Sequence, residues 1–409
     1  MTPLLTPIQA QVTDTEGKAL AGIRLQLRHP LLAPIERSTD ANGKAELPGL
    51  KTGISYLLTL TGSGIVPRQL VVELPAETPE SGQNTRLITN QIPNQITSLI
   101  TSQSTGLRLR LVLERAGFAR NGTISDSSGK PVAGAVIAAG NRSVESGSDG
   151  RYSLVLSSQP GEVTAFRQGY AGCSPQSDGC RLTAIGTSLR LRTPASHRPL
   201  GLDPAAFASQ SASLLKDSSS AGYTLLAWPG EALDPGRDTL WLAAPQQKLS
   251  AEEITAIQTF VHAGGKLVVN SEWAGFGASA PESLNSLLAA FGLAPGGDSL
   301  HQAQKLAISL FESSHPLLAG IRLLQLYRSG SIRLLLPDQA RLLAYSPADG
   351  FRIAAIGGEG VLGFALAGKG KVVVLGDASL WLETDSDGNG IANYREADNA
   401  RLWRNVLGW

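Results

Sequence analysis

A strand-turn-strand phrase occurs twice in this 409-residue chain, and the repetition limits the folds open to its first half. Asp14-Thr15-Glu16-Gly17-Lys18 leads to Ala21-Gly22-Ile23, and Asp126-Ser127-Ser128-Gly129-Lys130 leads to Ala133-Gly134-Ala135. A second echo follows, Asn42-Gly43-Lys44 in one copy and Asp149-Gly150-Arg151 in the other. Gly and Asn-Gly pairs supply the positive φ of tight turns, and the flanking apolar/polar alternation is that of strands with one wet face. Each copy is expected to close on a similar strand, Leu107-Arg108-Leu109-Arg110-Leu111 and Leu189-Arg190-Leu191-Arg192. The copies are 112 residues apart at Asp14 and Asp126 but 82 apart at Leu107 and Leu189, so the first holds roughly thirty extra residues, assigned to the polar stretch near 75–105.

Charge excludes some functions. Lys plus Arg number 35 against 34 Asp plus Glu, so no broad basic surface awaits nucleic acid or anionic lipid. No apolar run approaches the roughly 18 residues of a membrane span. The start, Met1 to Pro7, lacks the basic and apolar regions of a secretory signal. The two cysteines argue for export instead: Cys173 and Cys180 bracket Ser-Pro-Gln-Ser-Asp-Gly, a turn that would bring the sulfurs together, and a structural disulfide implies an oxidising compartment. The alternative is a pair of free thiols. The location expected is extracellular, cell-surface or periplasmic with a signal absent from this sequence, or cytoplasmic if Met1 is the native start.

The repeated phrase resembles the carboxypeptidase-regulatory-like, transthyretin-type β-sandwich, through Gly122, Asp126, Gly129, Pro131, Gly134, Asp149, Gly150 and Tyr152 in the second copy. The first copy departs from that pattern at Ala19 and Ala45. The resemblance implies modules for spacing or interaction and no catalytic residue.

From about Pro194 the pattern changes. Asp203-Pro204 caps a helix, Tyr223–Trp228 and Thr239–Ala244 are apolar strand-length runs, and Ser250 with Glu253 forms a capping box before Ile254, Ile257 and Val261. Gly264-Gly265 ends that helix, and Lys266-Leu267-Val268-Val269-Asn270 follows as a strand. A helix at 282–291 and strands near 341–345, 351–356, 360–366 and 371–375 extend an α/β unit. This half resembles glutamine-amidotransferase-like, flavodoxin-like domains, through Leu249 to Asn270, Ser314 to Ile321, Gly368 to Asp377 and Asp398 to Leu402. The expected fold is therefore two all-β immunoglobulin- or transthyretin-like sandwiches, 1–115 and 116–195, and a class I amidotransferase-like α/β domain with a mostly parallel sheet, 196–409.

An amidotransferase needs a cysteine nucleophile after its central strand. The turn here reads Asn270-Ser271-Glu272-Trp273, and 196–409 contains no cysteine. Ser271 with His262, His301 or His315 is the substitute to weigh, but no G-x-S-x-G surrounds it, and a noncatalytic descendant is expected. Asp385-Ser386-Asp387-Gly388-Asn389-Gly390 up to Glu396 matches the calcium-loop pattern D-x-[DN]-x-[DN]-G-x5-E. Its ligands would be Asp385, Asp387, Asn389, the Ile391 carbonyl, Asn393 and a bidentate Glu396, with Gly390 at the bend. A solvated Asp/Asn/Gly turn is the alternative. The loop lies in an insertion, 382–397, before the closing helix, where Ca2+ would act as a structural clamp.

The function expected is a noncatalytic exported bacterial surface, envelope or assembly protein, its calcium-stabilised C-terminal domain engaging a protein partner or further copies. The rivals are a glycan-binding protein and a hydrolase or transferase using the α/β domain.

Overall fold

The computed structural model describes the chain except residues 1–4, 30–31, 52–53, 75–99, 104–105, 141, 161, 176–178, 186–188, 195–201, 229–231, 274–279, 301–304, 312–314 and 346–358. The expected strand at 351–356 and most of the polar segment at 75–105 lie outside the described residues.

The first unit has two four-stranded sheets. One runs Lys44–Lys51, Leu5–Asp14, Gly106–Leu113, Ile100–Gln103; the other runs Leu32–Ser38, Arg24–His29, Ile54–Thr61, Arg68–Leu74. Alternation decides what faces inward: along Arg24–His29, Leu25, Leu27 and His29 are buried while the residues between them are not. Ile8, Val12, Leu25, Leu47, Leu58 and Leu111 meet in one core.

The second unit repeats the local chemistry of the first. Asp14 Oδ1 accepts from Glu16 N at 3.0 Å and Lys18 N at 2.8 Å. Asp126 Oδ1 accepts from Ser128 N at 2.9 Å and Lys130 N at 3.0 Å. Thr39 Oγ1 accepts from Ile23 N and donates to Leu20 O, and Ser146 Oγ does the same with Ala135 N and Val132 O. Each copy thus knots its turn with one carboxylate and one buried hydroxyl.

The closing strand does not follow the expectation. In the first copy Leu5–Asp14 pairs in parallel with Gly106–Leu113, and its counterpart is Phe118–Asp126 with Gly179–Ala184. Leu189–Pro194 instead lies between Tyr223–Trp228 and Asp238–Ala243 in the C-terminal sheet. Arg190 explains the deception: it reads as a wet-face residue, yet its guanidinium pairs with the fully buried Asp238.

That sheet has eight strands, in the order Tyr223–Trp228, Leu189–Pro194, Asp238–Ala243, Lys266–Asn270, Gly370–Leu375, Leu362–Ala367, Ala340–Tyr345, Leu310–Phe311. The first five are parallel and the last three pair antiparallel. Its middle strands are buried on both faces, which is why they read as unbroken apolar runs. Trp241, Val268 and Val373 point to one face, with Trp381, Trp403 and helix Asn399–Gly408; Leu240, Leu267 and Val372 point to the other, with helices Ala251–His262 and Ala280–Ala289. Ser250 and Glu253 form the expected reciprocal cap, and Asp203 caps Pro204–Gln210. Gly370 admits the helix end closely, since a Cβ there would stand 1.9 Å from Val261 O.

The expected fold class is corrected by this arrangement. Among the described residues strands far outnumber helices, forming seven sheets against five helices, so two sandwiches followed by an α/β domain with a mostly parallel sheet does not describe it. The large sheet is mixed, and it takes a strand from the segment assigned to the second module. Short antiparallel pieces such as Leu306–Ile308 with Leu324–Leu326 replace the helices that a fully parallel sheet would need. No described helix is long and apolar enough to cross a membrane.

Candidate functional site

The acidic loop follows Gly370–Leu375, at the carboxyl end of the large sheet. Gly388 and Gly390 have φ of 72° and 84°, values that glycine adopts without steric cost, and they curl the backbone around Asp385. Asp385 Oδ1 accepts from Gly388 N at 2.8 Å and Asn389 N at 3.1 Å, and its Oδ2 accepts from Gly390 N at 2.7 Å. Asp387 Oδ2 pairs with the Lys305 ammonium and accepts from Asn389 Nδ2 at 3.2 Å. Glu396 is buried; it accepts from Asn389 Nδ2 and from the Tyr327 hydroxyl, and its Oε2 lies 3.5 Å from Lys305 Nζ. The Lys305 contact holds the Asp387 carboxyl below its ordinary range.

Asp385, Asp387, Asn389 and Glu396 are therefore brought together. Asn393 is not: its Oδ1 accepts from Ser386 N at 3.0 Å, and its Nδ2 donates to Ser379 O at 3.0 Å and Ser386 Oγ at 2.8 Å. Ile391, expected to offer its carbonyl, has an exposed side chain, and its N donates to Asn389 Oδ1 at 2.7 Å. Among the described residues no three His, Cys, Asp or Glu side chains form a group able to hold a metal ion. Lys305 stands where a cation would bridge Asp387 and Glu396. Four of the six expected ligands are neighbours here without being arranged as a cation site, and Ca2+ would require Lys305 to move aside and the carboxylates to close in.

The loop also fastens the surrounding elements. Ser213 N donates to Glu383 Oε1 at 2.6 Å, Tyr394 Oη donates to Asp217 at 2.9 Å, Arg322 N donates to Asp398 at 2.8 Å, and Gln325 N donates to Asn399 Oδ1 at 3.0 Å. The loop thus ties helix Ala212–Ser220 to the start of the last helix, Asn399–Gly408, and Asp398 and Asn399 tie that helix to the segment at Leu324–Leu326.

Beside it lies the turn that an amidotransferase would use. Ser271 is buried and its hydroxyl donates to Leu375 O at 3.1 Å. His262 packs on Phe291 and His315 on Phe364 and Trp409, while His301 lies outside the described residues. Asp377 accepts from Tyr327 N at 2.6 Å and Ser379 N at 2.7 Å, and burial raises its carboxyl to about 6 against those bonds. Glu272 accepts from Ala378 N at 3.0 Å and is pushed well up, first by burial and then by the Asp377 charge. These groups pin the turns after Lys266–Asn270 and Gly370–Leu375 to one another.

A second polar cluster escaped the sequence reading. Lys371 is buried and donates to Gly134 O at 2.6 Å, pairs with Glu145 at 2.9 Å, and lies 4.2 Å from the Trp409 ring. His315 lies 3.5 Å from the same carboxylate. The available signal was a lysine at the head of an apolar strand, in Lys371-Val372-Val373 as in Lys266-Leu267-Val268. Cys173 and Cys180 are disulfide-bonded, closing that alternative in favour of the pair.

Residues 208–407 match a domain of unknown function, DUF4350. The comparison with curated proteins finds no match. Among solved structures, the "mmIFT52 N-terminal domain" is 16% identical, with 54% of this chain and 96% of that one covered, at a TM-score of 0.41. The cytoplasmic protein STM3548 of Salmonella typhimurium is 14% identical over 54% of this chain and 98% of its own, at 0.36. A ThuA-like protein from Bacteroides uniformis is 11% identical over 54% and 89%, at 0.36. The family match corrects the expected kinship: the family matched is neither a carboxypeptidase-regulatory nor a transthyretin-like module. Nor does it indicate calcium-binding or amidotransferase-like character, so any reading of the acidic loop stands on the loop alone.

Proposed function

We propose that this chain is a noncatalytic, exported bacterial surface, envelope or assembly protein, whose C-terminal unit engages a protein partner and is steadied by Ca2+ at the acidic loop. The observation that carries the reading is the position of that loop. It gathers Asp385, Asp387, Asn389 and Glu396 at the point where helix Ala212–Ser220, strand Leu324–Leu326 and the closing helix are tied together, so a cation there would govern the order of that whole end. The Cys173–Cys180 disulfide supports an oxidising compartment. Engagement of the Ser271 hydroxyl by a backbone carbonyl supports a role without acyl transfer.

Calorimetric titration of the full chain with CaCl2, alongside thermal unfolding with and without the ion, tests the loop. Saturable binding that raises the melting temperature and is lost in Asp387→Ala is the expected result; absence of binding by the wild type sinks the cation reading. Recovery of a reproducible partner on cross-linking intact bacterial cells tests the interaction role, and a chain recovered only in the cytosol, without the disulfide, refutes export.

A further inference from the structure

Two buried carboxylates meet at the carboxyl end of the large sheet. Glu272 is 5% exposed and Asp377 is fully buried. They take consecutive amides: Glu272 Oε1 accepts from Ala378 N at 3.0 Å, and Asp377 Oδ1 accepts from Ser379 N at 2.7 Å and from the Ser379 hydroxyl at 2.6 Å. The charges brought by the neighbouring segments are engaged elsewhere. Asp298 is held by Ser331, the Tyr327 hydroxyl donates to Glu396, Lys305 lies beyond it on Asp387 and Glu396, and exposed Arg328 sits over the Trp273 ring at 5.5 Å. The end of Asp238–Ala243 and the turn Ser379–Trp381 bring no charge of their own. Among the described residues no cation forms an ion pair with Glu272 or Asp377.

Residues 327–331 are clamped against the pair. Tyr327 N donates to Asp377 Oδ2 at 2.6 Å, Gly330 N donates to Gly376 O at 2.8 Å, and a Cβ at Gly330 would stand 2.8 Å from Glu272 O. Three non-glycine residues hold a positive φ among the described residues, and two of them adjoin this point: Arg328 at 53°, next to Tyr327, and Ala244 at 42°, whose N donates to Asn270 O at 2.9 Å. Backbone of that kind persists only where its surroundings hold it. At Arg328 the holding bond is the one that Asp377 makes to Tyr327 N.

We infer that Glu272 and Asp377 form a proton-operated latch: while they share a proton they hold the turns after Lys266–Asn270 and Gly370–Leu375 together, and when it is lost the carboxyl end of the sheet loosens. Two ionised carboxylates side by side in a dry site are disfavoured by burial and by each other, so the pair keeps a proton at a pH where a solvated carboxyl has lost it. Burial pushes both carboxyls up, and the Asp377 charge pushes Glu272 further. A carboxyl raised in the folded state contributes stability that is complete below its unfolded value and is lost as pH rises through the folded one. The end of the sheet is therefore tight in mild acid and loose in mild alkali. The latch is separate from the acidic loop and stands whether or not that loop binds a cation.

Urea unfolding of the full chain, followed by tryptophan fluorescence at pH 5 and pH 8 in the parent and in Glu272→Gln, tests the inference. The folding equilibrium of the parent relative to that of the variant should fall at least about tenfold from pH 5 to pH 8; a carboxyl displaced as Asp377 is, from 3.8 to about 6, yields that factor. Taking the ratio to the variant cancels the histidines that titrate over the same range. Should Glu272→Gln fail to fold, hydrogen exchange of the parent decides: after correction for intrinsic rates, protection of the Tyr327, Ala378 and Ser379 amides should drop about tenfold at pH 8 relative to Val268 and Val373 in mid-strand. A ratio that stays within about twofold, or unchanged protection at those three amides, overturns the latch.

Discussion

Replacing Glu145 by glutamine isolates the charge that joins the second unit to the large sheet. Burial on its own raises this carboxyl, but the Lys371 ammonium at 2.9 Å and the His315 imidazole outweigh burial and hold it at about 2, against an ordinary 4.5. At about 1.4 kcal/mol per pH unit, that displacement corresponds to ~3 kcal/mol of stability. Burial pulls Lys371 the other way, lowering it, so ~3 kcal/mol is a ceiling for the pair. A depressed carboxyl stabilises fully above its unfolded value and loses that contribution as pH falls through the folded one. Glu145→Gln should therefore cost about 2–3 kcal/mol at pH 7, with the gap closing between pH 4.5 and about 2. All six tryptophans lie between residues 228 and 409, and Trp409 touches Lys371, so urea unfolding followed by fluorescence reads the correct part of the molecule. A gap below about 1 kcal/mol at pH 7, or one that persists undiminished at pH 2, would refute the electrostatic account.

Further expectations concern other parts of the chain. Asp126→Ala leaves Ser128 N and Lys130 N without their acceptor and should cost about 1 kcal/mol in urea unfolding, with the larger loss at Asp14→Ala, where the buried carboxylate also holds Arg115. Gly390→Ala forces a side chain into φ of 84° and should lower stability by about 1 kcal/mol, although nothing stands within 4 Å of the new methyl. Lys305→Met removes the ammonium between Asp387 and Glu396; titration should show Ca2+ binding about tenfold tighter than in the parent, and weaker binding would mean that the lysine assists rather than competes. Replacing both Cys173 and Cys180 by serine reopens a short loop and should cost about 2–3 kcal/mol by chemical denaturation.

The repeat was legible because its signal is local. Asp14 and Asp126 each bind amides two and four residues on, and such turns depend on neighbours in sequence. The apolar strands and capped helices of the second half were legible for the same reason. The closing strand was misassigned because Leu189-Arg190-Leu191-Arg192 copies the alternation of Leu107 to Leu111, and only a partner 48 residues away, Asp238, makes Arg190 an interior residue. Alternation states which faces are wet without saying which sheet receives the strand. The antiparallel edge of the large sheet was legible at one joint, since the two-residue link Gly368-Lys369 between Leu362–Ala367 and Gly370–Leu375 admits only a hairpin. Of the acidic loop, the pattern located four side chains that gather, but it could not anticipate Lys305, which arrives from 82 residues earlier, or the capture of Asn393 by Ser379 and Ser386.

The strand Leu189–Pro194 has a mechanical consequence. It enters directly from the second unit and lies inside the large sheet, flanked on both sides by parallel neighbours. Tension applied through the β units of an anchored chain would enter the sheet along this strand and meet two ladders loaded in shear, where many hydrogen bonds must fail together. A hinge cannot dissipate the pull there. A fragment begun at residue 196 would lose that resistance along with the strand, and would leave Tyr223–Trp228 without its neighbour.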